Sequence, residues 1–301
     1  MSEPKSEPMN KQISYRARSA LTSRLLKNSR QIIIHIILIL VAVIVVTPLV
    51  WLASSSLKSP PQQLTWPPEL IPRPFYPRNY VDLFKVSSMG LYFFNSSKLA
   101  ILNVIGNCLS SSLAGFAFAR MRFRGKNLIF AILLGTMMIP YATSIIPTFV
   151  IFRELGWINT HYPLFVGSFF GGAFSIFLFR QCYLAIPQDL MDAAEMDGAS
   201  FFFIYLRIFL PLGMPILTTV ALLTFLGSWN DFLGPLIFLN SADKMTIPMG
   251  LAYMRGRAGT GIERYGVVMA GSLLGLLPTL ILYIFGQKYF IQGLTRAGLK
   301  G

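Results

Sequence analysis

Long apolar runs separated by short polar connections dominate this chain, and strict alternation of apolar and polar positions is rare. Six runs stand out, at 32–53, 98–119, 128–152, 163–179, 212–238 and 266–290. A helix needs about 20 apolar residues to cross a bilayer. The fourth run is near the short limit, and the fifth is interrupted by Trp229-Asn230-Asp231 and then Gly234-Pro235. The first run has an apolar core longer than the roughly 7–15 residues of a cleaved signal, so it reads as an uncleaved first helix. The pattern predicts an all-α integral membrane protein with six transmembrane helices. A tail at 1–31 precedes a membrane domain at 32–301.

Composition sharpens this reading. Charged residues are 13% of the chain, against roughly 25% in soluble domains. Mean hydropathy is +0.58. Disorder and fibrous repeats are excluded on the same grounds. Two cysteines, Cys108 and Cys182, and two histidines, His35 and His161, build neither a disulfide framework nor a zinc site, and no metal site is expected.

The net charge of +14 raises the question of nucleic acid, and its distribution answers it. Seven basic residues (Lys5, Lys11, Arg16, Arg18, Arg24, Lys27 and Arg30) lie in the first thirty positions. Four more, Arg120, Arg122, Arg124 and Lys126, fall within seven residues. Both clusters abut apolar runs, as the positive-inside rule requires of cytoplasmic segments, so no nucleic-acid partner is expected. The tail, 120–126, 186–207 and the C-terminus are then expected inside, and 54–97, 153–162 and 240–265 outside. Seven prolines between Pro60 and Pro77 favour extended backbone in the first outer segment, where Gln62 is expected to be exposed.

One inner loop breaks the pattern. Asp189, Asp192, Glu195 and Asp197 are four of the twelve acidic residues, within nine positions. At roughly 100° per residue, Asp189, Asp192 and Glu195 share one side of a helix and Leu190, Ala193 and Ala194 the other. Asp189 suits an N-cap and Gly198 a left-handed C-terminal residue. Two alanines on the apolar face would let a partner approach closely. By itself this could equally be a solvated acidic turn.

The wider spacing decides the matter. Asp192-Ala-Ala-Glu-Met-Asp-Gly198 is followed, after nine residues, by Ile208-Phe-Leu-Pro211. This resembles the EAA signature (EAA, three residues, G, nine residues, I-x-L-P) of permease subunits of binding-protein-dependent carbohydrate ABC importers. The one departure is Asp192 for the leading Glu. Asn95 through Lys126, Met138-Ile-Pro140, Gly227-Ser-Trp-Asn-Asp-Phe-Leu233 and Gln287-Lys-Tyr-Phe-Ile-Gln-Gly-Leu-Thr295 also fit the maltose or multiple-sugar type, in its six-helix member. The ending Arg296-Ala-Gly-Leu-Lys-Gly301 departs slightly from the family's usual one.

The resemblance implies a type I ABC importer permease that moves a mono-, di- or oligosaccharide inward by alternating access. Its short cytoplasmic coupling helix, in the 186–207 loop, would dock on an ATPase subunit. By motif position, Asp192, Ala193, Ala194 and Gly198 would couple the two, supported by Glu195 and Asp197, while Leu210 and Pro211 fix the exit into the fifth span. The implied partners are a second permease subunit in a heterodimer, an ATPase dimer, an extracytoplasmic solute-binding protein and the bilayer. No cofactor is expected on this chain; ATP and Mg would sit on the ATPase. The implied place is a bacterial or archaeal cytoplasmic membrane, with both termini in the cytoplasm.

Other features stay open. Trp229, Asn230 and Asp231 either line a pathway or gate, or cap the outer end of a span with Trp229 in the interface belt. Pro140 and Pro147 suggest an irregular third span facing protein or a cavity. Met137-Met138 reads as packing, and His161 as solvated. No phosphate loop of the Gly-x-x-x-x-Gly-Lys-Ser/Thr type and no nucleophile–histidine constellation is present, so no catalytic residue is expected. The alternative is a stand-alone secondary transporter of a small polar solute, for which Asp231 is the one candidate ion-coupling acid.

Overall fold

In the computed structural model the backbone is described over residues 9–257 and 265–298, and side chains over 31–286 apart from 64 and 257–264. The side chains of the basic tail through Arg30, and those of the 287–295 motif, lie outside the described residues. The chain forms two compact units, divided between Ser54 and Ser55. The first holds most of α1 (Met9–Ser56), whose stretch from Gln31 is apolar and long enough to span.

In the second unit the proline-rich segment ends in a helix that the sequence did not announce, α2 (Arg78–Val86). Its Leu83 and Asn79 are buried, and the Asn79 amide donates to the carbonyls of Ser56 and Lys58. Gln62 is likewise not exposed: it is 7% accessible, donates to Glu69 and the Ile71 carbonyl, and accepts from the Arg73 N–H. Its amide closes the proline loop on itself.

The organising element is α3 (Met89–Arg120), which starts nine residues before the predicted second run. Thirty-two residues make about 48 Å of helix. That exceeds the roughly 30 Å hydrocarbon core, so its two ends lie beyond the membrane interior. Its buried stripe (Asn95, Leu99, Asn103, Asn107, Ser111, Phe116 and Ala119) recurs every three to five residues, with polar groups through its middle and apolar ones towards its C-terminal end. At Gly115 a Cβ would lie 2.5 Å from the Cβ of Phe179, so glycine is what lets the next packed helix come this close.

The third run is two helices, α4 (Lys126–Thr136) and α5 (Tyr141–Glu154), meeting at 98° around Pro140. This is the irregular span expected. Neither helix has a buried residue within this chain, and Met138 is 85% exposed, so the Met pair does not pack internally. The fourth run opens as 3-10 turns (Tyr162–Leu164 and Val166–Phe170) and becomes helical only in α6 (Ala173–Leu184). Then follow α7 (Asp189–Met196), α8 (Phe201–Ile204), a π-helical turn (Tyr205–Phe209) and α9 (Leu210–Leu212).

The fifth run is not one helix. It comprises α10 (Met214–Trp229), bent by 78° from the segment before it, and a separate short α11 (Leu233–Phe238). The Asn230–Phe232 break confirms the interruption read in the sequence. α12 (Ile247–Arg257) and α13 (Tyr265–Gly298) complete the order, and no strand occurs among the described residues. Counting each bent pair once, up to six segments are long and apolar enough to span.

Two apolar cores form along α3. One gathers Leu83, Met89, Tyr92, Trp229, Leu239, Ile247 and Val267; the other Phe116, Phe179, Tyr183, Met191, Ile204, Phe209 and Val220. Cys108 lies in the second and forms no disulfide.

Candidate functional site

The acids of α7, and Asp197 just after it, project their charges away from the protein, and the reason lies in which neighbours are buried. Met191 is 3% accessible and packs with Phe209, Ile204 and Tyr183, and Ala194 is half-buried beside the same group. Leu190 and Ala193 are exposed instead. The expected pairing of Ala193 with Ala194 on a partner-facing side is therefore corrected. Ala194 belongs to the chain's own core, whereas Ala193, Leu190 and the 88% exposed Met196 face outward with the acids. Asp189, Asp192, Glu195 and Asp197 make no ion pair within 4.0 Å among the described residues.

The ends of α7 are set by backbone chemistry. The N-cap is Gln188 rather than Asp189, and its side chain makes no cap bond; its amide donates to Asp192 at 2.9 Å. Asp189 and Asp192 occupy the first turn, where the helix dipole favours carboxylates. At the other end Gly198 has φ +77°, as expected. The Gly198 N–H donates to the Glu195 carbonyl and the Ala199 N–H to that of Ala194, both at 3.0 Å. That is the paired closure of a Schellman turn. A Cβ added at Gly198 would meet no atom within 4 Å, so its constraint is the backbone angle alone.

Beyond this turn Phe201, Phe202 and Phe203 are exposed, and the Ser200 hydroxyl caps their helix by accepting from the Phe203 N–H at 3.3 Å. Leu210 and Pro211 then make the short α9, directly before the bend at Gly213. Proline in this position suits the first turn of a helix and blocks its smooth extension from the preceding one.

At the opposite end of α3 a different site is closed by polar groups. The Asn95 amide donates to the carbonyls of Asp243 and Met245, and Ser96 accepts from the Ile247 N–H. Asn159, at φ +59°, accepts from the Asn240 and Ser241 N–H groups, and the Lys244 ammonium donates to its carbonyl at 2.6 Å. His161 is not simply solvated. The Lys98 ammonium, which can only donate, lies 2.7 Å from Nδ1, so Nε2 holds the proton and donates to the Lys244 carbonyl at 2.9 Å. Burial pushes the imidazole pKa below its ordinary value. The Lys98 and Lys244 charges act the same way; the Lys244 carbonyl and Asp243 act against it.

Between these ends, two asparagines of α3 hold irregular backbone. The Asn103 amide donates to the Leu164 carbonyl and Ser228; that of Asn107 donates to Ser175 and Thr224, while its oxygen accepts from Ser111 and the Gly172 N–H. Nothing in the local sequence marks these partners.

Of the polar triplet, Trp229 is buried rather than placed in an interface belt. It stacks on Phe225 at 5.4 Å, and its indole donates to the Gly275 carbonyl of α13. Asn230 donates to the Leu226 carbonyl and ends α10; Asp231 accepts from the Gly234 N–H at 3.1 Å and starts α11. The structure thus brings the triplet to one break, with roles in shaping it. No group of three or more metal-ligating side chains occurs among the described residues.

Comparison with known proteins follows this geometry. The model of the family described as binding-protein-dependent transport system inner membrane component matches residues 106–296. The arabinooligosaccharides transport system permease protein AraQ of Halalkalibacterium halodurans is 38% identical over 226 residues, covering 74% of this chain and 79% of the relative. The trehalose/maltose transport system permease protein MalG of Thermococcus litoralis is 32% identical over 275 residues, covering 90% and 98%. Among solved structures, a chain of a bacterial ABC transporter involved in the import of the acidic polysaccharide alginate aligns with a TM-score of 0.78 at 23% identity, covering 89% of this chain and 98% of that one. A second alginate transporter structure, in complex with an alginate pentasaccharide-bound periplasmic protein, aligns with a TM-score of 0.60 at 16% identity, covering 94% of this chain and 96% of that one.

Proposed function

Because the chain belongs to the family of binding-protein-dependent transport system inner membrane components, we propose that it moves an oligosaccharide or smaller sugar inward as one half of an ATP-driven permease. The observation that carries the sugar class is the agreement of relatives with different printed substrates. They name arabinooligosaccharides, trehalose or maltose, and lactose, all carbohydrates. The secondary-transporter alternative gives way to family membership.

In this reading α7 is the coupling helix. Asp192, Ala193, Glu195, Asp197 and Gly198 belong to its outward face and closing turn, and Ala194 anchors it from within. ATP and Mg act on a partner ATPase dimer, whose closure pushes α7. The acids, without an ion pair among the described residues, and the exposed Leu190, Ala193, Met196 and Phe201–Phe203 support this, since they form a mixed apolar and acidic surface left open by the other described residues. Leu210 and Pro211 pass the push to α10 through the bend at Gly213. Trp229, Asn230 and Asp231 set the far end of α10, beside the polar network of Asn95, Asn159 and His161. A solute-binding protein would deliver its sugar on that outer side. The exposed apolar residues of α4 and α5, among them Leu128, Ile132, Ile146 and Ile151, suit the second permease subunit. Both termini would be cytoplasmic, with the 120–126 turn and α7.

The experiment is uptake by the assembled transporter in proteoliposomes. A panel of labelled mono- and oligosaccharides is offered with the binding protein and ATP. ATP-dependent uptake of one of them is expected. Uptake that persists without ATP and follows an ion gradient would overturn the assignment.

A further inference from the structure

We infer that Arg120 is the positioning residue that locks the coupling helix to α3, so that a push on α7 arrives in the permease core; this rests on the coupling reading above. By position Arg120 is only the first of four cations in a basic turn, and the positive-inside rule would account for all four. Its surroundings set it apart. Arg122 and Arg124 are exposed, whereas the Arg120 guanidinium is turned inward. One terminal nitrogen donates to the Gln188 side-chain oxygen. The other donates to the carbonyls of Tyr183, at 2.6 Å, and Ile186.

The Tyr183 carbonyl lies in the last turn of α6, where it also accepts from the Ile186 N–H, and that of Ile186 just past it, at the helix end whose dipole favours a cation. The guanidinium carbon also lies 5.2 Å from the centre of the Phe209 ring, just before Leu210-Pro211. Entry into the loop and exit from it therefore meet on one side chain. Gln188 extends the contact, since its amide donates to Asp192, the acid that leads the signature. A continuous path of bonds runs from α3 through Arg120 and Gln188 to the outward face of α7.

The chemistry explains why this group is arginine. A planar fork can serve two carbonyls and an amide oxygen at once while stacking on a ring. A lysine keeps the charge and loses that simultaneous reach. The eight-residue α7 is otherwise anchored by Met191, Ala194 and its two turns. Without the fork it can tilt on that apolar anchor, and the ATPase stroke is spent in the loop.

The test uses the complete transporter, with partner permease, ATPase and binding protein, in proteoliposomes. The readout is the ratio of ATP hydrolysis with and without sugar-loaded binding protein, beside complex yield. Arg120→Lys is expected to assemble and to lose about tenfold of that ratio, with uptake falling in step. Gln188→Ala is expected to lose about threefold, and the double variant no more than Arg120→Lys alone, because both break one path. Arg124→Ala, which keeps the turn and removes an exposed charge, is the control. A ratio within about twofold of the parent in Arg120→Lys overturns the proposal, as does a multiplicative double variant. A low yield with a normal ratio in the surviving complexes also overturns it, leaving a purely structural role. Ala193→Glu separates the two levels of argument: if it leaves ATPase association intact, the coupling reading fails; if it abolishes association while Arg120→Lys transmits normally, only the lock fails.

Discussion

The two ends of α3 solve opposite problems. At the Asn95 end the side chains spend their hydrogen bonds inside the protein: Lys98 donates to the His161 ring, His161 to the Lys244 carbonyl and Lys244 to the Asn159 carbonyl. At the Arg120 end the cations Arg120, Lys126 and Arg180 donate to backbone carbonyls, while the four carboxylates from Asp189 to Asp197 are left without an ion pair among the described residues. A closed network resists deformation because every displacement leaves a polar group unsatisfied. An open acidic face on a short helix is a surface waiting for complementary charge. The first end is built to hold its shape; in the proposed coupling role the second is the end that is gripped and moved.

Four experiments press on this contrast. The largest effect is expected from Ala194→Glu, which sets a carboxylate against Met191 and its neighbours; an unpaired buried charge costs about 3 kcal/mol or more. ATPase association and uptake are expected to be lost, together with a lowered Tm of the complex. Ala193→Glu, on the outward side, is expected to weaken association with a stability change within about 0.5 kcal/mol. Equal thermal effects for the two would mean that the inner and outer faces of α7 are misassigned.

Next in size is Gly198→Val, which forces a β-branched residue into φ +77° and costs about 1–2 kcal/mol in that turn. Open space surrounds the position, so Gly198→Asn is expected to stay near the parent in ATPase binding. If Asn fails as badly as Val, the angle is not what glycine supplies.

The third experiment addresses the closed end. A histidine whose pKa is lowered on folding contributes stability above its unfolded pKa of about 6.5, and loses it as pH falls through the folded value. Acidifying from about pH 7.5 to about 5.5 should therefore lower complex stability as the His161–Lys98 contact breaks. His161→Gln, neutral throughout, is expected to flatten that part of the Tm profile. An unchanged profile would show that the cluster does not sense the proton.

The smallest effect is expected from Asp231→Asn. The amide oxygen still accepts from the Gly234 N–H, so stability is expected within about 0.5 kcal/mol and uptake within about twofold. A selective loss of uptake would assign the carboxylate charge to the solute path.

Local stereochemistry is legible in the sequence. The Gly198 turn, the break after Trp229 and the kink at Pro140 each follow from one or two residues whose backbone preferences dominate. A helical wheel groups Ala193 with Ala194 opposite Asp192 but does not tell which side the rest of the protein occupies; the structure exposes Ala193 with Asp192 and turns Ala194 and Met191 inward. The prolines conceal α2 because they precede it rather than interrupt it. Arg120, Asn103, Asn107, Asn159 and His161 are silent for another reason. Contacts that define this class lie from 61 residues away, as from Asn103 to Leu164, to 125, as from Asn103 to Ser228. No local pattern announces a hydrogen bond of that reach.

The Asn103 and Asn107 pair also bears on how the protein is made. Both sit midway along α3, and their amides reach Leu164, Ser175, Thr224 and Ser228, all synthesised later. Within α3 alone Asn103 has the Leu99 carbonyl and Asn107 the Ser111 hydroxyl as partners, so release into lipid would leave the rest of each carboxamide unpartnered, which is costly. Chain order thus imposes a schedule: α3 stays beside the insertion machinery, or in the company of water, until α6 and α10 emerge. Those later helices then act as its internal chaperones, and the bundle leaves for the bilayer as a group.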